Sequence, residues 1–241
     1  MSFDKKAMSS KPPRIGSAEA MLSVIREMGI VPFFSNPIIG YSIEEMTDPD
    51  NWFDTQENLT YTPWDWKIPC VQSGEIAYGK FLWGGKAAFA TIPFYRELLN
   101  YRRSLPKYAP DASQKKILEY LEANGSIGIK EIRALLGIKK GQADSLVMRL
   151  MMQCRVVTGD IIRVYRGPDL TYNGWQHSSF CTPEALFADD APFSGFAGFP
   201  FASESGLKTE HSPSESYALL KERIRSIAPD ATDSQISKML G

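Results

Sequence analysis

Trp64, Asp65, Trp66 and Lys67 stand in one run, and Tyr78 and Lys80 follow a short way along the chain. A carboxylate between two indoles could serve as an acid in an apolar site, and aromatic walls can grip a base swung out of a duplex. The plainer use puts both tryptophans in a core, Asp65 as the cap of a short helix after Pro63, and the lysines in solvent. One carboxylate without a second acid, a histidine or a metal ligand is poor equipment for catalysis, which favours the plainer use and assigns no catalytic residue. A second set is Gln142, Ser145, Arg149 and Gln153, which point outward if residues 141–153 form a helix and suit base edges in a major groove. Arg155, Arg163 and Arg166, on a hairpin behind that helix, suit phosphates. Met148 and Met152 border the same face, however, and such flexible, polarizable side chains more often fill apolar interfaces. The alternative is therefore a protein-interaction module whose helix is covered by the aromatic C-terminal segment or by a partner protein.

The second set depends on residues 111–167, where three helices and a hairpin follow in the order of a winged helix-turn-helix. Asp111 can cap a helix carrying Ile117, Leu118, Leu121 and Ala123, which Asn124-Gly125 stops. Ile132, Leu135 and Leu136 mark a second helix with Gly137 at its end, and Leu146, Val147, Leu150 and Met151 a third. Val156-Val157 and Ile161–Tyr165 then read as two strands joined at Thr158-Gly159-Asp160.

Before this module, Ser17 caps a helix running to about Met28, and Pro32 and Pro37 make residues 30–40 an apolar, irregular segment. Ser42 to Glu45 carries a capping box. Trp52, Phe53, Tyr61, Trp64 and Trp66 form an aromatic stretch. Residues 76–83 and 86–91 alternate around Gly84-Gly85 as a hairpin, and Pro93 opens a helix ending near Ser104. After the module, Thr182-Pro183 starts a short helix. Phe193, Phe196, Phe199 and Phe201 are too aromatic for a free linker and are expected to dock across the body. Ser212-Pro213 begins a helix through Ile227, and Asp233 caps a last one, together a helical hairpin without a core of its own. The expected fold is α+β: a tail at 1–16, an α+β unit at 17–104, a winged-helix domain at 105–170, and a wrapping segment with helical hairpin at 171–241.

Of the 241 residues, 43% are hydrophobic and 23% charged, as in an ordinary soluble globular chain. The start has no apolar run of a secretory signal, and no stretch approaches the roughly 20 apolar residues of a membrane span. Cys70, Cys154 and Cys181 are far apart and odd in number, which suits the reducing cytoplasm. With only His177 and His211, neither a metal site nor a cofactor has visible ligands. The net charge of -1 hides an asymmetry: residues 95–170 hold fourteen Lys and Arg against eight Asp and Glu. Local basic surface on an acidic body is what a DNA-binding module would show, and solvated helix faces produce it too.

The order of these signals resembles the AlkZ-related proteins, a bacterial group named for a distant similarity to the AlkZ/YcaQ winged-helix DNA glycosylases. The resemblance rests on Pro63-Trp64-Asp65-Trp66-Lys67, Ala77-Tyr78-Gly79-Lys80, Lys86-Ala87-Ala88-Phe89, the winged helix, and a closing Ala228-Pro229-Asp230-Ala231-Thr232 before a short helix and Gly241. It covers most of residues 17–241 and implies DNA as a partner, with no reaction to carry over. Those glycosylases hold a water with a Gln-x-Gln or Gln-x-Asp pair near their N-terminal winged helix. This chain has no such pair in its N-terminal half. Gln142-Ala143-Asp144 matches the letters but opens the third helix of the later module, where that family keeps no catalytic pair. DNA binding without catalysis is the leading expectation, with the covered module and a divergent glycosylase acting on alkylated bases as alternatives.

Overall fold

The computed structural model describes residues 15–52, 62–187 and 206–241. Helix α1 (Ala18–Met28) starts at Ser17, whose hydroxyl accepts the Ala20 N–H, and it buries Met21, Val24, Ile25 and Met28. Ile15 just ahead of it is fully buried and donates its N–H to Met46 O. Packing therefore begins inside the stretch expected as a loose tail, because an isoleucine beside this core leaves water; residues 1–14 lie outside the described residues.

Strand β1 (Ile30–Pro32) takes the first three residues of the segment expected to be irregular and pairs antiparallel with β3 (Lys86–Thr91), while residues 33–40 are irregular as expected. The sheet order is β1-β3-β2, with β2 at Ile76–Leu82. As an edge strand, β1 tolerates a proline that lacks a ladder N–H. The β2–β3 hairpin turns at Gly84-Gly85, as its alternation predicts, and Tyr78 lies opposite Phe89. The short helix α2 (Ile43–Met46) is capped by Ser42, whose Oγ accepts the Glu45 N–H, but the expected box is only half formed, since Glu45 accepts from the Ser42 hydroxyl and the Gly40 N–H. Helix α3 spans Pro63–Gln72, with Thr62 at the N-cap position, so Asp65 lies within the first turn and is not the cap. Phe53 and Tyr61 of the aromatic stretch lie outside the described residues.

Helix α4 (Ile92–Arg103) leads to a second trio: α5 (Ala112–Asn124), α6 (Ile129–Leu136) and α7 (Lys140–Met152). Asp111 and Gln114 form a full capping box on α5. A two-residue strand, β4 (Ile127–Gly128), separates α5 from α6. After α7 the hairpin departs from expectation. Thr158-Gly159-Asp160 is a bulge inside one continuous strand, β5 (Val157–Arg166), and the chain turns later to return as β6 (Thr171–Cys181). Gly159 marks a close approach, since a Cβ there would lie 3.0 Å from Cys181 Sγ. The sheet order is β4-β6-β5. Ile117, Leu121, Ile132, Leu150, Val156 and Phe180 form the core under this trio.

Helix α8 (Pro183–Phe187) follows, and α9 (Pro213–Ile227) and α10 (Asp233–Leu240) close the described chain, the last capped by Thr232 and not by Asp233. Leu220, Ile224, Ile236 and Met239 join the same core as Met21, Phe89 and Leu98. The α4–α9 contact has a polar latch: buried Glu97 accepts from Ser216 Oγ (2.6 Å) and Thr209 Oγ1 (2.9 Å) and faces His211 Nδ1 (3.1 Å). Fully buried Arg102 donates to Leu240 O (3.0 Å) and Met152 O (2.8 Å), tying α4 to α10 and α7. Phe193, Phe196, Phe199 and Phe201 lie outside the described residues.

Candidate functional site

Helix α7 carries the residues singled out for base edges, and the structure divides them. Gln142 and Ser145 are exposed, with Gln142 Oε1 also accepting the Lys139 N–H at 3.0 Å. Arg149 is exposed and lies 3.6 Å from Asp111 Oδ2. Gln153, expected to face outward, is only 6% exposed and donates to Gln114 Oε1 at 3.0 Å. It follows the last residue of α7, where the chain bends inward and α5 closes over it. Met148 and Met152, the methionines bordering that face, are each partly buried: Met148 lines the groove against β2–β3, and Met152 Sδ lies 3.8 Å from Arg102 Nη1 of α4. A Cβ on Gly85 would meet Met148 Sδ at 2.6 Å, and Met151 Sδ lies 3.2 Å from the Lys80 N–H.

The hairpin arginines also separate. Arg155 is partly buried, and its Nε has no hydrogen-bond partner. Arg163 lies 3.4 Å from Asp65 Oδ1 and over the Tyr172 ring. Arg166 is exposed and stacks 5.6 Å from the centre of the Trp175 ring.

Between α6–α7 and the hairpin lies a groove of about 870 Å³. It is lined by exposed Lys130 and Arg133 of α6, Lys140 of α7 and Lys80 of β2, and by Ile162, Trp175 and His177 of the hairpin. Trp175 is 60% exposed and Ile162 55%, so neither side chain is held by a core. Three acids share the groove: Glu131, which accepts the Gly128 N–H; Asp160, which accepts from Gln72 and from the Ile161 N–H; and Asp144 on α7. Ile162, Trp175 and His177 carried no motif, and the sole signal for them was a tryptophan on a strand following lysine-bearing helices.

The six residues of the proposed aromatic pocket do not converge. Tyr78 and Lys80 line the groove, while Trp66 is in the core. Trp64 joins Phe34 and Trp52 around a separate hollow of about 400 Å³ that includes Glu44. Asp65 is 8% exposed, and its Oδ1 accepts from Tyr172 Oη (2.6 Å) and, at 3.4 Å, from Gln176 Nε2. Gln176 also donates to Trp64 O at 3.0 Å. Burial, then the Asp65 hydrogen bond, pushes the Tyr172 hydroxyl up, so it remains a donor. Lys67 is buried with its ammonium 4.9 Å over the Trp64 ring, and burial brings it down to about 8 against the pull of Asp65.

Among the described residues no three His, Cys, Asp or Glu side chains group as metal ligands, and Cys70, Cys154 and Cys181 are buried free thiols. No described helix is long and apolar enough to cross a membrane. No curated protein and no solved structure matches the chain. Residues 15–241 match the family described as AlkZ related, and the chain therefore belongs to that family.

Proposed function

We propose that this protein binds DNA through a winged helix-turn-helix made of α5–α7 and the β4-β6-β5 sheet, without itself acting on the DNA. The element order, helix-strand-helix-helix-strand-strand with the short strand paired to the last, supports the module. Its relation to a family named for DNA glycosylases supports the partner. The observation that carries the reading is the groove beside α7. Lys80, Lys130, Arg133 and Lys140 can meet phosphates, while Trp175 and Arg166 on the hairpin offer a flat platform for a base.

Base release is the weaker reading because Asp65, the carboxylate it would use, is enclosed by Tyr172, Gln176 and Arg163. The covered-module reading draws on Met148 and Met152, which β2–β3 and Arg102 of α4 in the same chain already contact. Binding is tested by fluorescence anisotropy of labelled DNA over a salt series, with Lys130, Arg133 and Lys140 each changed to alanine. Each lost phosphate contact lowers the slope of log affinity against log salt by about 0.7 to 0.9. Unchanged slopes in all three variants remove this groove from DNA binding.

A further inference from the structure

The groove fits one kind of nucleic acid better than another. A recognition helix enters a major groove about 12 Å wide, which requires both of its long flanks to be free. Here one flank of α7 is walled by β2–β3: Met148 lies over Gly85, and Met151 meets the Lys80 backbone. Met148, Met151 and Lys80 line the same groove as Ile162 and Trp175 of the hairpin, so on that side α7 borders a trench, while Gln142, Ser145 and Arg149 are exposed on its outer face. A trench of this kind leaves less room for a second backbone on that side of α7. One strand can lie along it.

The chemistry of the groove agrees. The cations of α6, α7 and β2 share one groove with a half-free indole, a combination that suits a strand offering phosphates to the cations and a base to the ring. Stacking on an aromatic ring serves any base and requires that the base be unpaired. Arg166 over the Trp175 ring steadies the indole. The three acids Glu131, Asp144 and Asp160 keep their charge, since the donors to Glu131 and Asp160 are neutral amides, so a strand is expected to run its phosphates along Lys80, Lys130, Arg133 and Lys140 and clear of those carboxylates.

We propose that this groove takes an unpaired DNA strand, with one base stacked on Trp175, a specificity that rests on the DNA-binding reading above. Anisotropy is measured with labelled oligothymidylate, with a blunt duplex, and with a duplex interrupted by a short single-stranded gap. The full chain is compared with Trp175→Ala and Trp175→Phe, and their melting temperatures are followed in parallel. Because Trp175 is largely in solvent, both variants keep the wild-type melting temperature. The expected result is tighter binding of the strand and the gapped duplex than of the blunt duplex. Trp175→Ala weakens strand binding by about tenfold, and Trp175→Phe restores most of it. Equal or tighter binding of the blunt duplex, or a Trp175→Ala variant with unchanged strand affinity, overturns the unpaired-strand specificity while DNA binding stands. Absence of binding to all three probes overturns both.

Discussion

Tyr172, on the returning strand of the β5–β6 hairpin, donates a 2.6 Å hydrogen bond to Asp65 in the first turn of α3, 107 residues earlier in the chain. With Gln176 holding Trp64 O and Arg163 at the same carboxylate, it fastens one face of the hairpin to the N-terminal unit. The opposite face, with Ile162 and Trp175, is thereby presented to the groove. A carboxylate at a helix N-terminus also meets the positive end of the helix dipole. Asp65 works here as a structural anchor.

Asp65→Asn and Tyr172→Phe are each expected to lower stability by about 1.5–3 kcal/mol, the range for a hydrogen bond to a charged group. The double variant loses less than the sum, because each change removes the same bond. Thermal or urea unfolding of the four proteins checks this. Additive losses would show that the two residues act apart. A wild type that releases free base from alkylated duplex, with a stable Asp65→Asn variant that does not, would make Asp65 catalytic.

Gly85 has φ +80°, and a Cβ there would stand 2.6 Å from Met148 Sδ. Gly85→Ala is expected to cost about 1–3 kcal/mol, from left-handed strain and from displacement of the methionine. Adding Met148→Ala removes the clash but not the strain. Recovery is therefore partial, and full recovery would mean that the backbone conformation costs nothing.

Lys67 carries its own pH signature. Its folded value of about 8 lies below the ordinary 10.5. Below about pH 8 both states hold the proton, and the fold carries the cost of a buried ammonium, at most about 3 kcal/mol. Between the two values the unfolded chain binds the extra proton, so the Lys67 contribution makes stability rise with pH. Lys67→Met is expected to raise the melting temperature at neutral pH and to remove that rise between pH 8 and 10. A lower melting temperature at pH 7 would show that the contact with the Trp64 ring outweighs burial.

The Glu97 latch responds in the opposite range. Burial raises its carboxyl, but hydrogen bonds from Ser216, His211 and Thr209 outweigh it and hold Glu97 below the ordinary 4.5. Its stabilising contribution is present above that value and is lost as pH falls through the lower folded one. Glu97→Gln is expected to loosen α9 at neutral pH and to flatten the acid side of the stability profile. Hydrogen exchange of the α9 amides reports the first effect. Unchanged protection would mean that Leu220 and Ile224 hold the helix without the latch.

Much of the chain was legible because local rules govern it. Ser17, Asp111 and Ser212 satisfy helix N–H groups within their own first turns; periodicity names all four inward residues of α7 and the centres of α1, α5 and α9, but Ala123 is exposed and Leu22, Leu118, Tyr217 and Ile227 are only partly buried. The Gly84-Gly85 turn is equally local. Errors came where a local signal had a tertiary meaning. Gly159 reads as a turn residue, yet it lets β5 bulge past Cys181, because close approach and chain reversal both call for glycine. Gln153 reads as an outward residue by continuing the helical period one step beyond α7, where α5 covers it. Sequence alone determined the positions of most helices, the caps at Ser17, Asp111 and Ser212, and the basic excess of residues 95–170, while the caps of α3 and α10 fell on Thr62 and Thr232 in place of the nearby aspartates. Only the tertiary structure decided that β2–β3 contacts Met148 and Met151 of α7, that Asp65 belongs to Tyr172, and that Trp175 shares a groove with four cations. Those relations join residues far apart in the chain, and such contacts follow from how whole elements pack, which neither periodicity nor residue type encodes.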